Sequence, residues 1–586
     1  MSLLKRVKST VLSIRKSLRR FPITIGISSL LALLLIYLIE SQISGVVKET
    51  LEKIALVLGL GIPLSLCIAL LIEKFSKNNR LYPLLLYVGG GLFLVLYYFF
   101  FLDSIGAMAG YRYFGTMLFL LLAFLYIPRI GKDKDYEYYI MDVLQGFAIT
   151  FIYSFVLYIG ISIILLTINQ LFDINIKGEL YLYTFLIIVF VFAVSLFLSK
   201  LPSIEREYKG VKYNKSLIVL LTYIVIPLIS VYTLILYLYF AKILVTNEWP
   251  RGLVSHLVLW YSTLSVGVIF LLTPILEENR IAKLFKEIFP KIILPILLMM
   301  FLSIYQRVAQ YGITENRYYV IILGLWVLGT MIYFSIKKPL KNILIPISLS
   351  IVVLISVYGP LSSFSVAKYS QNRRFEKILI ANNMVLNGEI IPNEKVSKEA
   401  QKELSNIISY FHRNHSINDI KSLPRDFNID DMERILGFKY NPYSTTPFEE
   451  YSYFYYSIDL EEPINIGDFQ YLVNINSWQE NEIEVAELII RYNRQENILA
   501  ISKKDEVILQ RDIMDFVRDL YEKVESDTNG RKNLVHPIDM IYDISLLGIE
   551  ENFEFRFIFT NLSGRVDEDN NIDLDGAEFI LLIGLR

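Results

Sequence analysis

Long apolar runs fill roughly the first 360 residues of this 586-residue chain, and a water-loving stretch of roughly 220 residues follows. Hydrocarbon offers backbone N–H and C=O groups no partner. A segment of about 20 apolar residues at that depth must therefore satisfy its own hydrogen bonds as a helix. The qualifying runs number about eleven: 21–40, 54–72, 82–102, 112–128, 146–168, 180–200, 216–241, 253–276, 290–309, 318–336 and 342–360. The fold class expected is an all-α polytopic membrane bundle of about eleven transmembrane helices, followed by a soluble α+β domain. The first run lacks a small-residue cleavage site and reads as a retained helix rather than a signal peptide.

Charge divides the chain in the same place. The formal net charge is -1, yet residues 361–586 carry 24 Lys/Arg against 40 Asp/Glu, which leaves 33 against 18 before them. An acidic domain without a basic stripe is a poor nucleic-acid binder. Four segments are expected: a basic amphipathic N-terminus at 1–20, the helical domain at 21–360, a mainly helical connection at 361–435, and a β-rich domain at 436–586.

Positive residues in short loops set orientation. They recur in alternate loops: Lys5, Arg6, Lys8, Arg15, Lys16, Arg19 and Arg20; Lys74, Lys77 and Arg80; Arg129, Lys132 and Lys134; Lys200, Arg206, Lys209, Lys212 and Lys215; Arg280, Lys283 and Lys286; Lys337, Lys338 and Lys341. The opposite loops are poorer in positive charge. The N-terminus is expected in the cytoplasm, and an odd number of spans puts the acidic domain outside. Leu4, Val7, Val11, Ile14 and Leu18 sit at helical spacing opposite basic residues. This suits an interfacial helix on anionic lipid, or charges that only enforce topology.

Ionisable residues deep in the spans are few, which argues against ion-coupled transport. Polar residues gather at the expected outer ends. Glu40 closes the first run and Asp103 the third; Trp249 and Arg251 lie in the loop after the seventh; Arg307, Tyr311, Thr314, Glu315, Arg317 and Tyr318 surround the loop after the ninth. An acid, arginines and tyrosines together suit a polar or anionic ligand, or a hydrogen-bonded lock between helices. Arg307, Glu315 and Arg317 are expected to form one outward-facing cluster.

The stretch 224–333 resembles a bacterial family of polytopic membrane proteins known only as a domain of unknown function. The likeness rests on the Pro227 helix, the Trp249-Pro250 turn, and Tyr311-Gly312-Ile313-Thr314-Glu315 followed by Arg317-Tyr318. Arg20-Phe21-Pro22 looks like the same family. The resemblance implies the membrane fold and brings no reaction, substrate or cofactor.

In the polar part, helices are expected at 397–412, 430–436 and 511–524, the last burying Ile513, Phe516, Val517 and Leu520. Strands are expected at 451–460, 469–477, 485–492, 498–502, 507–510, 553–561 and 578–585. The single cysteine, Cys67, excludes an intrachain disulfide. His412, His415 and Asp419 share a helical face but lack a fourth metal ligand, and read as surface residues. The alternating Asp567, Asp569, Asn571, Asp573 and Asp575 miss the EF-hand register, because Leu582 stands where a bidentate Glu is required. No catalytic residue, metal site or cofactor is assigned. Three functions stay open: binding, sensing or assembly at the outer face, with an envelope protein or lipid-linked ligand as partner; a transporter or channel; and an intramembrane enzyme acting on a lipid-linked substrate.

Overall fold

The computed structural model describes residues 15–585 except 42, 77–80, 103–105, 133–134, 173–176, 209–212, 247–252, 387, 426, 441–450, 459–463, 465, 468, 477–480, 494–495, 505, 529–533, 536–539, 548–551 and 568–571. Asp103, Trp249 and Arg251 lie outside the described residues, as does most of the amphipathic pattern at 1–20. The chain divides into two compact units. One comprises Met1–Ile391 and Tyr410–Phe427, the other Pro392–Ser409 and Asn428–Arg586.

Among the described residues, ten helices of the first unit are long and apolar enough to cross a membrane. They are α1 (Pro22–Glu40), α2 (Val46–Phe75), α3 (Leu81–Phe101), α4 (Ala107–Tyr126), α5 (Tyr136–Phe172), α6 (Glu179–Lys200), α7 (Lys215–Thr246), α8 (Leu253–Leu272), α9 (Arg280–Tyr311) and α10 (Glu315–Ile336). The eleventh run is apolar, and its helix is shorter than the other ten. It forms α11 (Leu344–Val357), a helix of 14 residues rather than a span of full length. At about 1.5 Å per residue it is shorter than the hydrocarbon core.

The direction of α11 nonetheless follows from its contacts with α4. Tyr126 Oη lies 3.4 Å from Ser350 Oγ, and Thr116 Oγ1 lies 2.6 Å from Tyr358 Oη. Later residues of one helix thus meet earlier residues of the other, so the pair is antiparallel. Gly115 permits the approach, since a Cβ there would fall 2.5 Å from Val357 Cγ1. Beyond α11, the Tyr318 hydroxyl donates to Leu361 O at 2.5 Å. Tyr111 packs edge-on against Phe364, and α12 (Ser363–Ala381) begins beside the α9–α10 turn.

At the opposite end, Arg20 bonds Glu73 (2.9 Å) and Leu201 O (2.8 Å), fastening the ends of α1, α2 and α6. Phe21 is buried beneath it, and Pro22 opens α1 where its missing N–H costs nothing. Asp142 accepts from Tyr208 (2.8 Å) and pairs with Arg206 (2.9 Å). The backbone irregularities have local causes. Pro227 follows a π-helical turn at Leu220–Val225, where its ring and missing N–H disturb the ladder. Pro63 lies inside α2, and Pro290 and Pro295 lie inside α9.

After α12 a short hairpin pairs β1 (Val385–Leu386) with β2 (Glu389–Ile390), and the second unit, which includes the short helix α14 (Met432–Leu436), is α+β. A six-stranded sheet runs β4 (Tyr471–Asn476), β12 (Ile572–Leu585), β11 (Asn552–Asp567), β3 (Tyr451–Ile458) and β9 (Leu534–Val535), with β10 (Ile541–Leu547) also on β11. A four-stranded meander joins β5 (Asn481–Val485), β6 (Leu488–Asn493), β7 (Ile498–Lys503) and β8 (Glu506–Asp512). The strand expected at 485–492 is instead a hairpin, turning at Ala486 and Glu487, both with positive φ. β8 runs on to Asp512, so helix α15 (Ile513–Thr528) starts later than the sequence suggests. It buries Ile513, Val517 and Leu520 and stacks Phe516 on Phe559 at 4.1 Å. Asp573 and Asp575 pair with Arg565 at 2.8 and 3.0 Å, so those carboxylates face a guanidinium rather than a common centre.

Candidate functional site

The turn between α9 and α10 is three residues long and dense in backbone polar groups. Gly312 ends α9 at φ +71, with its N–H on Val308 O at 2.9 Å. Thr314 is the N-cap residue of α10, and Glu315 is its first residue, where the helix dipole favours an anion. Carbonyls left over at a helix end need donors, and neighbouring side chains supply them. Arg317 Nη1 donates to Gly312 O at 2.8 Å, and Gln371 Nε2 to Tyr311 O and Ile313 O, both at 3.1 Å. The Ile313 N–H donates to Ser370 Oγ at 2.8 Å. Arg317 and Arg374 each lie over the Tyr311 ring, at 5.6 and 5.7 Å.

Glu315 is 6% exposed. Tyr410 Oη donates to both carboxylate oxygens, at 2.7 and 2.8 Å, and His415 Nε2 lies 2.8 Å from Oε1. Tyr410 closes helix α13 (Lys398–Asn414) together with Phe411, and His415 follows it. The His415 ring is fully covered, packed against Phe364, Tyr410 and Phe411 at 5.3–5.6 Å. With the carboxylate accepting, Nε2 carries the proton. Nδ1 has no hydrogen-bond partner among the described residues. Burial and the Glu315 charge push the Tyr410 phenol up, so it stays a donor.

Within the expected cluster, Arg307 lies within electrostatic reach of Arg317. Arg317 serves the turn's carbonyls, whereas Glu315 serves residues from beyond the last apolar helix. Arg307 lies one turn before Tyr311 on α9, and Tyr318 bonds Leu361 O as described. Glu40 sits elsewhere, exposed and accepting from the Tyr183 hydroxyl. The reading of His412, His415 and Asp419 as surface residues holds for His412 but not for His415. Asp419 faces Lys368 at 2.6 Å, so the three do not converge. Tyr410, His415, Ser370, Gln371 and Arg374 are missed by sequence reasoning, because their partners lie far along the chain. A burial requirement on Glu315 alone hints that such partners exist.

Arg317→Lys is expected to cost about 1–2 kcal/mol, since an ammonium cannot reproduce the planar fork. Gly312→Ala should cost a similar ~1–2 kcal/mol, because a Cβ would meet Gln371 Nε2 at 2.9 Å in a left-handed conformation. Melting temperatures of the purified variants in detergent check both.

Comparison with known proteins adds the lineage. The family described as Domain of unknown function (DUF4153) matches residues 18–389, which take in all the apolar helices, the α9–α10 turn and α12. The uncharacterized protein PM1469 of Pasteurella multocida (strain Pm70) is 24% identical over 413 residues, 66% of this chain and 70% of that protein. No solved structure matches. The chain is a multi-pass membrane protein and belongs to the DUF4153 family.

Proposed function

We propose that the protein binds, senses or helps assemble a component of the cell envelope at the outer face of the membrane. In this reading the N-terminus is cytoplasmic, basic residues at 1–20 rest on anionic lipid, and the acidic α+β region is outside. The observation that carries it is the joint of Glu315 with Tyr410 and His415, which couples a turn between two membrane helices to the polar segment beyond the last one. The antiparallel course of α11 against α4 supports the orientation. It returns the chain to the end of the bundle that holds the α9–α10 turn, away from Arg129 and Lys341. The enzyme reading needs Glu40, Asp103 and Glu315 to converge. Asp103 lies outside the described residues, and Glu40 and Glu315 are engaged by different partners.

Cysteine accessibility tests the orientation. Glu315 is too buried to report, so Tyr369→Cys on α12 (65% exposed) and Lys132→Cys in a basic loop serve, each in a Cys67→Ser background. A membrane-impermeant maleimide is expected to label intact cells at position 369 and, only after lysis, at position 132. The reverse pattern would put α12 in the cytoplasm and remove the outer-face reading.

A further inference from the structure

A cavity of about 750 Å³ lies among α1, α2, α4 and α6. Two breaks in helix geometry line it. Pro63 interrupts the hydrogen-bond ladder of α2, and the π-helical turn Ile188–Ala193 widens α6 at Val189 and Phe190. π-helical turns cost regular hydrogen bonding and are frequent at functional sites. The released carbonyl of Phe190 is taken up by the Ser28 hydroxyl, so the turn is held in place.

The cavity is long and has distinct ends. Its wall on α2 runs from Glu52 to Leu66, which at about 1.5 Å per residue spans ~20 Å along the helix axis. One end is apolar, lined by Leu66, Phe124 and Leu198. The other holds Glu52 and Tyr113, at the end of the bundle where α1 finishes at Glu40. Glu52 is the one charged side chain among the described lining residues, and it has no hydrogen-bond or ion-pair partner among them. The adjacent Lys53 is taken by Glu49 at 2.8 Å. Glu52 stands in the polar first turns of α2, two residues before its apolar run begins at 54, at the level where a lipid headgroup lies. Gly59 lets the Tyr113 hydroxyl lie against α2, where any Cβ would collide with it.

We infer that this cavity holds the hydrocarbon chain of a membrane lipid whose headgroup presents an ammonium to Glu52. The apolar length excludes ordered water, which needs two to four polar partners. Surrounding hydrocarbon is the material at hand, and an acceptor-only carboxylate at the mouth selects a donor-bearing headgroup over an anionic one. The inference does not depend on the Glu315 joint; only the leaflet, outer in this case, rests on the proposed orientation.

Full-length protein in nanodiscs is photolabelled with phosphatidylethanolamine carrying a diazirine in its acyl chain, with the matched phosphatidylglycerol as comparison. The cross-linked peptides are mapped by mass spectrometry. Peptides of α2 and α4 are expected to be labelled by the phosphatidylethanolamine probe in preference. Glu52→Gln should reduce that preference about tenfold, the scale of one lost charge-assisted hydrogen bond. Ala55→Phe and Leu56→Phe, which fill the cavity from two positions, should each abolish cavity labelling, whereas Leu84→Phe on the exposed face of α3 should not. Labelling that survives both filling variants, or equal labelling by the two lipids in the unaltered protein, would overturn the inference.

Discussion

Replacing His415 by leucine is expected to destabilise the helical unit by about 3 kcal/mol, the cost of leaving a buried carboxylate short of one hydrogen-bond donor. Glu315 is 6% exposed, and its partners are the Tyr410 hydroxyl and the His415 imidazole. Without the imidazole, a carboxylate stays in an apolar setting with one donor left. Loss of ring packing on Phe364 and Phe411 adds to the effect. The triple change Glu315→Leu, Tyr410→Phe, His415→Leu should recover most of the loss, because removing every member of a buried polar group leaves no orphan. Unfolding in detergent, read as a mutant cycle, distinguishes the two. A His415→Leu variant as stable as the parent would mean that Glu315 is satisfied without the joint.

Phe579→Ala is expected to cost the second unit a comparable ~3–5 kcal/mol through lost burial and the cavity left behind. Phe579 is fully buried on β12 and touches Phe559 at 5.1 Å, Phe557 at 6.0 Å and Tyr492 at 5.9 Å. Tyr492 belongs to the four-stranded meander and the others to the six-stranded sheet, so one ring joins both layers. Limited proteolysis of the full chain should show the region after Asn428 cut much faster, while the membrane helices stay protected. Unchanged cleavage would show that the two sheets are held together by other contacts.

The membrane part was largely legible in the sequence, since length and hydropathy are local properties and a helix needs no distant residue to satisfy its backbone in lipid. The same holds for α15, where Ile513, Val517 and Leu520 repeat at helical spacing and are all buried. The tight Gly312 turn could also be expected, because two apolar runs meet there across a few polar residues. The hairpin at Ala486 and Glu487 could not, because neither is a residue that ordinarily signals positive φ.

The candidate site divides along the same line. The presence of Glu315, Arg317 and Tyr311 in one turn is a matter of adjacency. Which of them pair is not: Glu315 finds Tyr410 across 95 positions, and Gln371 finds Tyr311 across 60. A charge must have a partner once buried, but nothing local says which surface will bury it. Sequence by itself determined that this chain crosses a membrane many times and carries an acidic α+β region, because hydropathy and charge act residue by residue along the chain. Only the tertiary structure decided that Glu315 is sealed by an imidazole and a phenol, that α11 is short, and that Pro63 and a π-helical turn open one cavity beside Glu52. Those outcomes depend on how separate helices approach in space, and side-chain volumes and hydrogen-bond geometry settle that approach only after the elements have formed.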